Sequence, residues 1–559
     1  MRGVNRSAVL GLLLMSAPAC RSAVSRPEPV TQPSAPVVVT IVVDQLAAWV
    51  ASERFGELPA TGGFARLRRE GTWVQAMRYE HAVTDTAPGH SALYTGAVPS
   101  VSGIFANEVL VDGRAVSVLR DATAHVVTSD GETGRVSSSL VRLKVETLAD
   151  RLRAEHPDAT ILSLSLKDRG ALFGGGRAPT AALWLDVKEN RFVTSSAVMH
   201  AWPGWAAGAA ESLRVAEAST WELLDPAWVR AHAVTPDAEA GEGDIPGLGT
   251  VFPHPLALVA EPALGFRTSP FADEALLSMG LSALDAEHAG RRVTLLALSL
   301  SANDYIGHAF GPDSWEAWDE LLRLDAALGC FFFALDARFG ADGYAVLLTA
   351  DHGTTPMPEV GRHAYCDAPD PWARACGVAH RVMPEELATR LASKAREVLG
   401  AGEWVLGVSD PYVYLSDAAH ALDPVRRAAL DNLIHDTAME VPGVARVYDT
   451  RTLPASCPPI DDESIDALVC RSFAPGAGDA YIVLEPGSFF DPSLVLGRGT
   501  SHGSPYRYDR TVPFLARAPG RIASGRVMGE RPWTTFVATA ASLLGIAPPH
   551  AVTVGASSL

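Results

Sequence analysis

Val37-Val38-Val39-Thr40-Ile41-Val42-Val43 runs almost without a polar break and is closed by Asp44. A strand with one wet face would alternate, so this run must be covered on both faces, as parallel strands in α/β sheets are. Val293-Thr294-Leu295-Leu296-Ala297-Leu298-Ser299-Leu300 and Tyr344-Ala345-Val346-Leu347-Leu348-Thr349 read the same way. Helical patterns lie between them, at residues 273–288 and 315–335. The fold class is therefore α/β. Each run ends close to an aspartate: Asp44, Asp304 and Asp351, with His308 and His352 near two of them. Ligands of open α/β sheets bind beyond the carboxyl ends of the strands. One such aspartate means little, but three that converge with histidines suggest a metal site.

With 559 residues the chain exceeds one simple core, so a large domain with insertions is expected over residues 37–552. One insertion is read at about 105–264, with Gly- and Pro-rich connections and Trp184, Trp202, Trp205, Trp221 and Trp228. A second is read at about 356–491, where 405–415, 424–440 and 444–448 form strand, helix and strand, and 480–484 adds another strand. The core resumes near His502 and ends in a helix at 534–544. A formal net charge of −18 argues against nucleic acid as partner, because phosphate backbones need a basic surface. Phosphate esters remain open if bound metal ions supply local positive charge. No protein partner is inferred.

Residues 1–20 read as an export segment, with Arg2 and Arg6 ahead of the apolar run Ala8-Val9-Leu10-Gly11-Leu12-Leu13-Leu14-Met15, too short to span a bilayer. Cys20 after small residues resembles a bacterial lipoprotein cleavage site, from which Ala17 and Pro18 depart. Plain signal cleavage is the alternative. Both imply an exported protein, periplasmic or at the outer surface, the first with lipid attachment at Cys20. Residues 21–36 read as a flexible tether. Export permits disulfides, and sequence nearness suggests Cys366 with Cys376 and Cys457 with Cys470. Cys330, in an apolar run, is left as a buried free thiol.

Four motifs carry chemistry. In Thr84-Asp85-Thr86-Ala87-Pro88-Gly89-His90-Ser91, Pro88 suits the first turn of a helix and Thr86 precedes it. Free N–H groups there favour an anion, although Thr86 alone reads equally as an N-cap. Asp304-Tyr305-Ile306-Gly307-His308 places a carboxylate and an imidazole on one helical face. Asp351-His352 follows a buried strand, and His502 sits among small residues in Gly499-Thr500-Ser501-His502-Gly503. Each motif has a bland reading, a structural hydrogen bond or a surface turn. Together they outweigh it.

The set Asp44, Thr86, Asp304, His308, Asp351, His352 and His502 resembles the alkaline phosphatase superfamily. It follows the Thr-nucleophile, phosphate-irrepressible branch, which is related to nucleotide pyrophosphatase/phosphodiesterases. The resemblance implies a mostly parallel central sheet flanked by helices, with inserted cap regions. It also implies two zinc ions, one on Asp304, His308 and His502, the other on Asp44, Asp351 and His352 with Thr86 bridging toward it. The mixture of imidazole and carboxylate ligands suits Zn²⁺. Asn107 resembles the family asparagine that contacts a phosphoryl oxygen. Lys167 and Arg169, read as i, i+2 at the end of a strand and so on one side, match a phosphate dianion, and Lys167-Asp168-Arg169-Gly170 resembles the monoesterase branch. The implied reaction is hydrolysis of small phosphate monoesters through phospho-Thr86. A phosphodiesterase on the same metals is the first alternative. A sulfatase would need a Cys or Ser in place of Thr86, and a degenerate binding protein would have lost a ligand.

Overall fold

The computed structural model describes residues 35–111, 113–290, 292–364, 379–491, 499–552 and 558–559. The export segment with Cys20, most of the tether, and Cys366 and Cys376 lie outside them.

Four apolar segments become neighbouring strands, β1 (Val37–Val43), β2 (Thr160–Ser165), β3 (Thr294–Leu300) and β4 (Ala345–Thr349), and every residue in them is buried. They lie in the order β4-β1-β3-β2 at the heart of a twelve-stranded sheet, and each neighbouring pair is parallel. Ala181–Asp186 extends the parallel set beyond β2. Antiparallel strands complete the margins, Thr511–Arg517 and Thr72–Arg78 on one side, Arg191–Ser195 and the hairpin of Arg120–Thr128 with Gly131–Ser138 on the other. Helices flank the sheet: Phe271–Glu287 packs on β2 and β3, and Thr534–Leu544 on β1 and β4. The expected α/β class and mostly parallel centre are what is seen.

Strand register sets where the connecting loops leave the sheet. Val43 lies opposite Leu300, Val42 opposite Thr349, and Ser299 opposite Ser165. The carboxyl ends of the four strands are therefore level, and the residues beyond them emerge on one edge.

Two boundaries differ from the sequence reading. Residues 105–264 are not set apart from the core, because β2 and its neighbours at 181–186 and 191–195 pair into the central sheet. Most of the Gly and Pro that suggested an insertion lies at 203–262, where short helices, loops and a two-stranded ribbon follow the last of these core strands. Residues 405–415 are a hairpin, Val405–Ser409 with Tyr412–Leu415, rather than one strand. Pro411 lacks the N–H a continuing ladder needs. This hairpin joins Ala480–Leu484 and Val444–Asp449 in a separate four-stranded sheet. Helices Pro384–Leu399 and Pro424–Met439 cover it, over an apolar cluster that includes Leu391, Leu430, Ile434 and Ile482.

Cys457 and Cys470 form the expected disulfide, with Cα atoms 5.6 Å apart. Cys330 corrects the expectation: it is disulfide-bonded, and it is half-buried rather than buried. Disulfide pairing follows Cα separation in space, which nearness along the chain does not report.

Candidate functional site

The level strand ends deliver the predicted residues to one place. Asp44 follows β1 directly, and its N–H donates to Leu300 O at 2.9 Å, locking it to the end of β3. Asp304 and His308 lie on α3 (Ala302–Phe310), the helix after β3, and Asp351 and His352 occupy the turn after β4. Thr86 opens α1 (Thr86–Thr95). Lys167 is the N-cap of α2 (Asp168–Gly175) after β2. His502 arrives from a distant loop that docks on the end of α3, with the N–H groups of Gly499 and Thr500 donating to Ala309 O and Gly307 O at 3.2 and 3.0 Å.

Two details of the sequence reading change. Thr86 is the first residue of its helix, and Asp85 holds the N-cap position without a side-chain cap hydrogen bond. The strand before Lys167 ends at Ser165, so Lys167 and Arg169 straddle the start of a helix. The strand geometry invoked for their common direction does not apply.

Three imidazoles line the site. His308 Nδ1 donates to Thr500 O at 2.8 Å, His502 Nδ1 to Thr84 O at 3.0 Å, and His352 Nδ1 to Gly353 O at 3.0 Å. Hydrogen bonding of one ring nitrogen to a carbonyl sets the tautomer and leaves the other nitrogen as a lone-pair donor. All three Nε2 atoms therefore face inward. The His352 and His502 rings stack with centroids 3.7 Å apart, and His308 lies 5.1 Å from His502.

The carboxylates fill the gaps. Asp304 Oδ1 is 3.2 Å from His308 Nε2 and 3.5 Å from His502 Nε2. Asp44 Oδ1 is 3.4 Å from His352 Nε2, and both atoms are buried without a hydrogen-bond partner. Asp351 Oδ2 lies 3.6 Å from His352 Nε2. Among the described residues two sets have ligand atoms close enough to hold a metal ion: Asp304, His308 and His502, and Asp44, Asp304 and His352. The first is the predicted set. In the second, Asp304 stands where the resemblance placed Asp351, so Asp304 belongs to both. Buried, orphaned oxygen and nitrogen donors are costly unless a cation satisfies them. The residues present therefore fit a metal centre of mixed imidazole and carboxylate character.

Thr86 sits against this centre. Its Oγ1 is 3.2 Å from Lys167 Nζ, which contacts Asp304 Oδ2 at 2.5 Å and Asp44 Oδ2 at 2.7 Å. Burial pulls the Lys167 ammonium down, but Asp304 and Asp44 outweigh it and hold its pKa above the ordinary value. Burial would raise Asp304, yet His308 and Lys167 keep it well below the carboxylate range. Asn107 Oδ1 accepts the Ala87 N–H at 2.8 Å, which leaves its amide donors for another acceptor. Arg169 is partly exposed, and its Nε is buried without a partner. The predicted residues are thus all brought to one edge of the sheet.

The sequence reading missed two supporting residues. Gln45, at a left-handed φ of 68°, donates its Nε2 to Asp304 Oδ1 at 2.8 Å and its backbone N–H to Asp351 Oδ1 at 3.3 Å. His90 Nδ1 lies 3.0 Å from Thr86 O and 2.9 Å from Asp351 Oδ2, tying the Thr86 helix to the β4 turn. His90 was visible four residues after Thr86 on the same helical face, but a lone histidine gives no hint of its partner. Gly89 has a steric role: a Cβ there would meet Asp351 O at 2.3 Å, so the close approach of helix and turn requires glycine.

Known proteins share this architecture. The family model described as type I phosphodiesterase / nucleotide pyrophosphatase matches residues 38–490. Similar proteins include alkaline phosphatase PhoV of Synechococcus elongatus, 29% identical with 94% of this chain and 92% of that protein covered. A calcium-transporting ATPase of Myroides odoratus is likewise 29% identical, with 92% of each chain covered. The crystal structure of wild-type alkaline phosphatase PafA superposes with a TM-score of 0.80 at 25% identity, covering 94% of this chain and 98% of that one.

Proposed function

The chain belongs to the type I phosphodiesterase / nucleotide pyrophosphatase family, and from that premise we infer that Thr86 takes up and releases a phosphoryl group beside two zinc ions. The protein is a phosphate monoester hydrolase of the alkaline phosphatase kind, as are relatives aligned over most of its length. The observation that carries the mechanism is the position of Thr86 Oγ1, 3.2 Å from an ammonium that itself bridges Asp44 and Asp304. A hydroxyl so placed adjoins both candidate metal sets.

Asp304, His308 and His502 would hold one zinc, and Asp44, His352 and Asp351 the other, with Asp304 between them. Bound zinc lowers the pKa of an oxygen nucleophile and stabilises a departing oxygen. Thr86 Oγ attacks phosphorus in line, the bond from phosphorus to the ester oxygen breaks, and the alcohol departs. Water then attacks phospho-Thr86, the bond to Oγ breaks, and inorganic phosphate leaves. The amide donors of Asn107 and the guanidinium of Arg169 hold the non-bridging oxygens. Lys167 supplies a further positive charge next to the nucleophile. Donors fixed in advance cost no reorganisation as charge develops.

A monoester dianion carries more charge on those oxygens than a diester does, so the cations should discriminate between them. Arg169→Ala is expected to lower monoester kcat/KM by roughly 10²–10³ and diester kcat/KM much less. Lys167→Ala should act in the same direction, without strict additivity. The measurement is kcat/KM for 4-nitrophenyl phosphate and bis-4-nitrophenyl phosphate in wild type, both single variants and the double variant. Equal losses on both substrates would assign the pair to structure. A wild type that prefers the diester would overturn the monoester reading and leave the Thr86 chemistry standing.

Export is also proposed, from the order of Arg2, Arg6, the apolar run and the small residues before Cys20. Fractionation of cells expressing the full chain should place activity outside the cytoplasm. Membrane association that persists in Cys20→Ala would rule out lipid attachment there.

A further inference from the structure

Tyr305 follows Asp304 on α3, and two cations approach its ring. Lys167 Nζ lies 4.9 Å from the ring centroid and Arg267 Cζ lies 4.3 Å from it. Arg169 is near enough to Tyr305 for its charge to feel the phenol. Lys167 has Asp304 and Asp44 as partners, but Arg267 is differently placed. It ends the short helix Pro262–Arg267 and is half-buried. Its Nε is buried without a hydrogen-bond partner, and among the described residues no carboxylate pairs with its guanidinium.

Arg267 is thus half-buried, stacked on an aromatic ring and without a carboxylate partner among the described residues. Desolvating part of an arginine without an anion is unfavourable. Stacking on an aromatic face orients its planar fork while leaving the N–H edge free. That edge suits a planar or tetrahedral oxyanion held through two parallel hydrogen bonds. Lys167, on the same ring, adjoins the Thr86 nucleophile, so only the Tyr305 ring and the Lys167 side chain link Arg267 to the reacting centre.

We propose that Arg267, seated on Tyr305, forms a second anion-recognition position that binds a phosphate or carboxylate carried by the leaving group. The inference rests on the monoesterase reading and narrows it: favoured substrates are phosphate esters or anhydrides whose departing portion is itself anionic.

Matched substrate pairs test this. 3-Phosphoglycerate against glycerol 3-phosphate differs by a carboxylate on the leaving group, and ADP against AMP by an anionic against a neutral one. Wild type should favour the first member of at least one pair in kcat/KM. Arg267→Gln should reduce that preference about tenfold or more, chiefly through KM, as loss of a charge-assisted pair would. Arg267→Lys should restore part of it. A shift in the glycerate pair alone identifies a carboxylate, in the nucleotide pair alone a phosphate, and in both a general oxyanion site. Thermal unfolding of each variant checks that the fold is kept. Preferences unmoved in Arg267→Gln, or equal losses on all four substrates, would overturn the proposal and leave Arg267 as packing for Tyr305. A wild type that hydrolyses neither glycerol 3-phosphate nor AMP would sink the monoesterase reading and this inference together. Normal monoesterase rates with an unmoved ratio would sink this inference alone.

Discussion

Replacing Thr86 by alanine should lower kcat for 4-nitrophenyl phosphate by on the order of 10⁴ or more, with zinc content unchanged. Loss of a nucleophile removes the covalent route altogether, and comparable deletions elsewhere have effects of that size. Thr86 is almost fully buried at the start of α1, so Thr86→Ala also removes buried atoms, and Tm is measured beside kcat to separate that packing cost from the loss of the nucleophile. Thr86→Ser keeps an oxygen at the same place and should keep much of the rate, reduced because serine is freer than threonine about χ1. Acid quenching during turnover of wild type should trap phosphothreonine at this position, found by peptide mass spectrometry. Wild-type rates in Thr86→Ala, or phosphate trapped on another residue, would reject the assignment. A purely structural role predicts a lowered Tm with catalysis kept, the opposite pattern.

Asp304→Asn is expected to have the second large effect, and it separates shared from private metal ligands. Asp304 lies within reach of His308 and His502 on one side and belongs with Asp44 and His352 on the other. Loss of its negative charge should weaken both ions, so that zinc falls from about two per chain to well below one and activity falls to the chelated baseline. His308→Gln touches only one set and should lose about one zinc. Elemental analysis after dialysis distinguishes these outcomes, and chelation followed by zinc addition should restore wild type. Because Asp304 also pairs with buried Lys167, the Asp304→Asn result is paired with circular dichroism that shows a folded chain. His308, with 35% of its side chain exposed, provides the gentler variant. Two zinc ions retained in Asp304→Asn, or both lost in His308→Gln, would refute the shared-ligand arrangement.

The candidate site was legible to an unusual extent, and for a chemical reason. Asp44, Asp304 and Asp351 each lie within four residues of the end of an apolar run, and a run buried on both faces can hardly be anything but an inner strand. One carboxylate at such an end means little, but three of them with histidines beside two point to a ligand. The helical spacing of Asp304 and His308 told its own geometry. Lys167 and Arg169 were found through resemblance, and the local geometry assigned to them did not hold. Two residues of sequence decided whether they ended a strand or began a helix, and element boundaries are where sequence patterns are weakest.

Cys330 and residues 105–264 failed for a different reason. Pairing of cysteines and of strands depends on which distant segments meet, and composition carries no record of that. Gln45 and His90 were overlooked likewise. Glutamine and histidine have many ordinary roles, and only their partners, Asp304 and Asp351, give them significance.

What the sequence determined by itself was the α/β class, the strand ends that bear acids, and the residue types able to hold a metal and a phosphoryl group. These are local properties, set by hydrophobic period and by side-chain chemistry within a few residues. What only the tertiary structure decided was the level register that makes the acids converge and the docking of the His502 loop on α3. It also decided that Asp304 comes within ligand distance of both sets, and that Arg267 comes to rest on Tyr305 without an acidic partner among the described residues. Those depend on distances between residues far apart in the chain, and a distance exists only once the hydrophobic burial of the whole sheet has closed the loops between them.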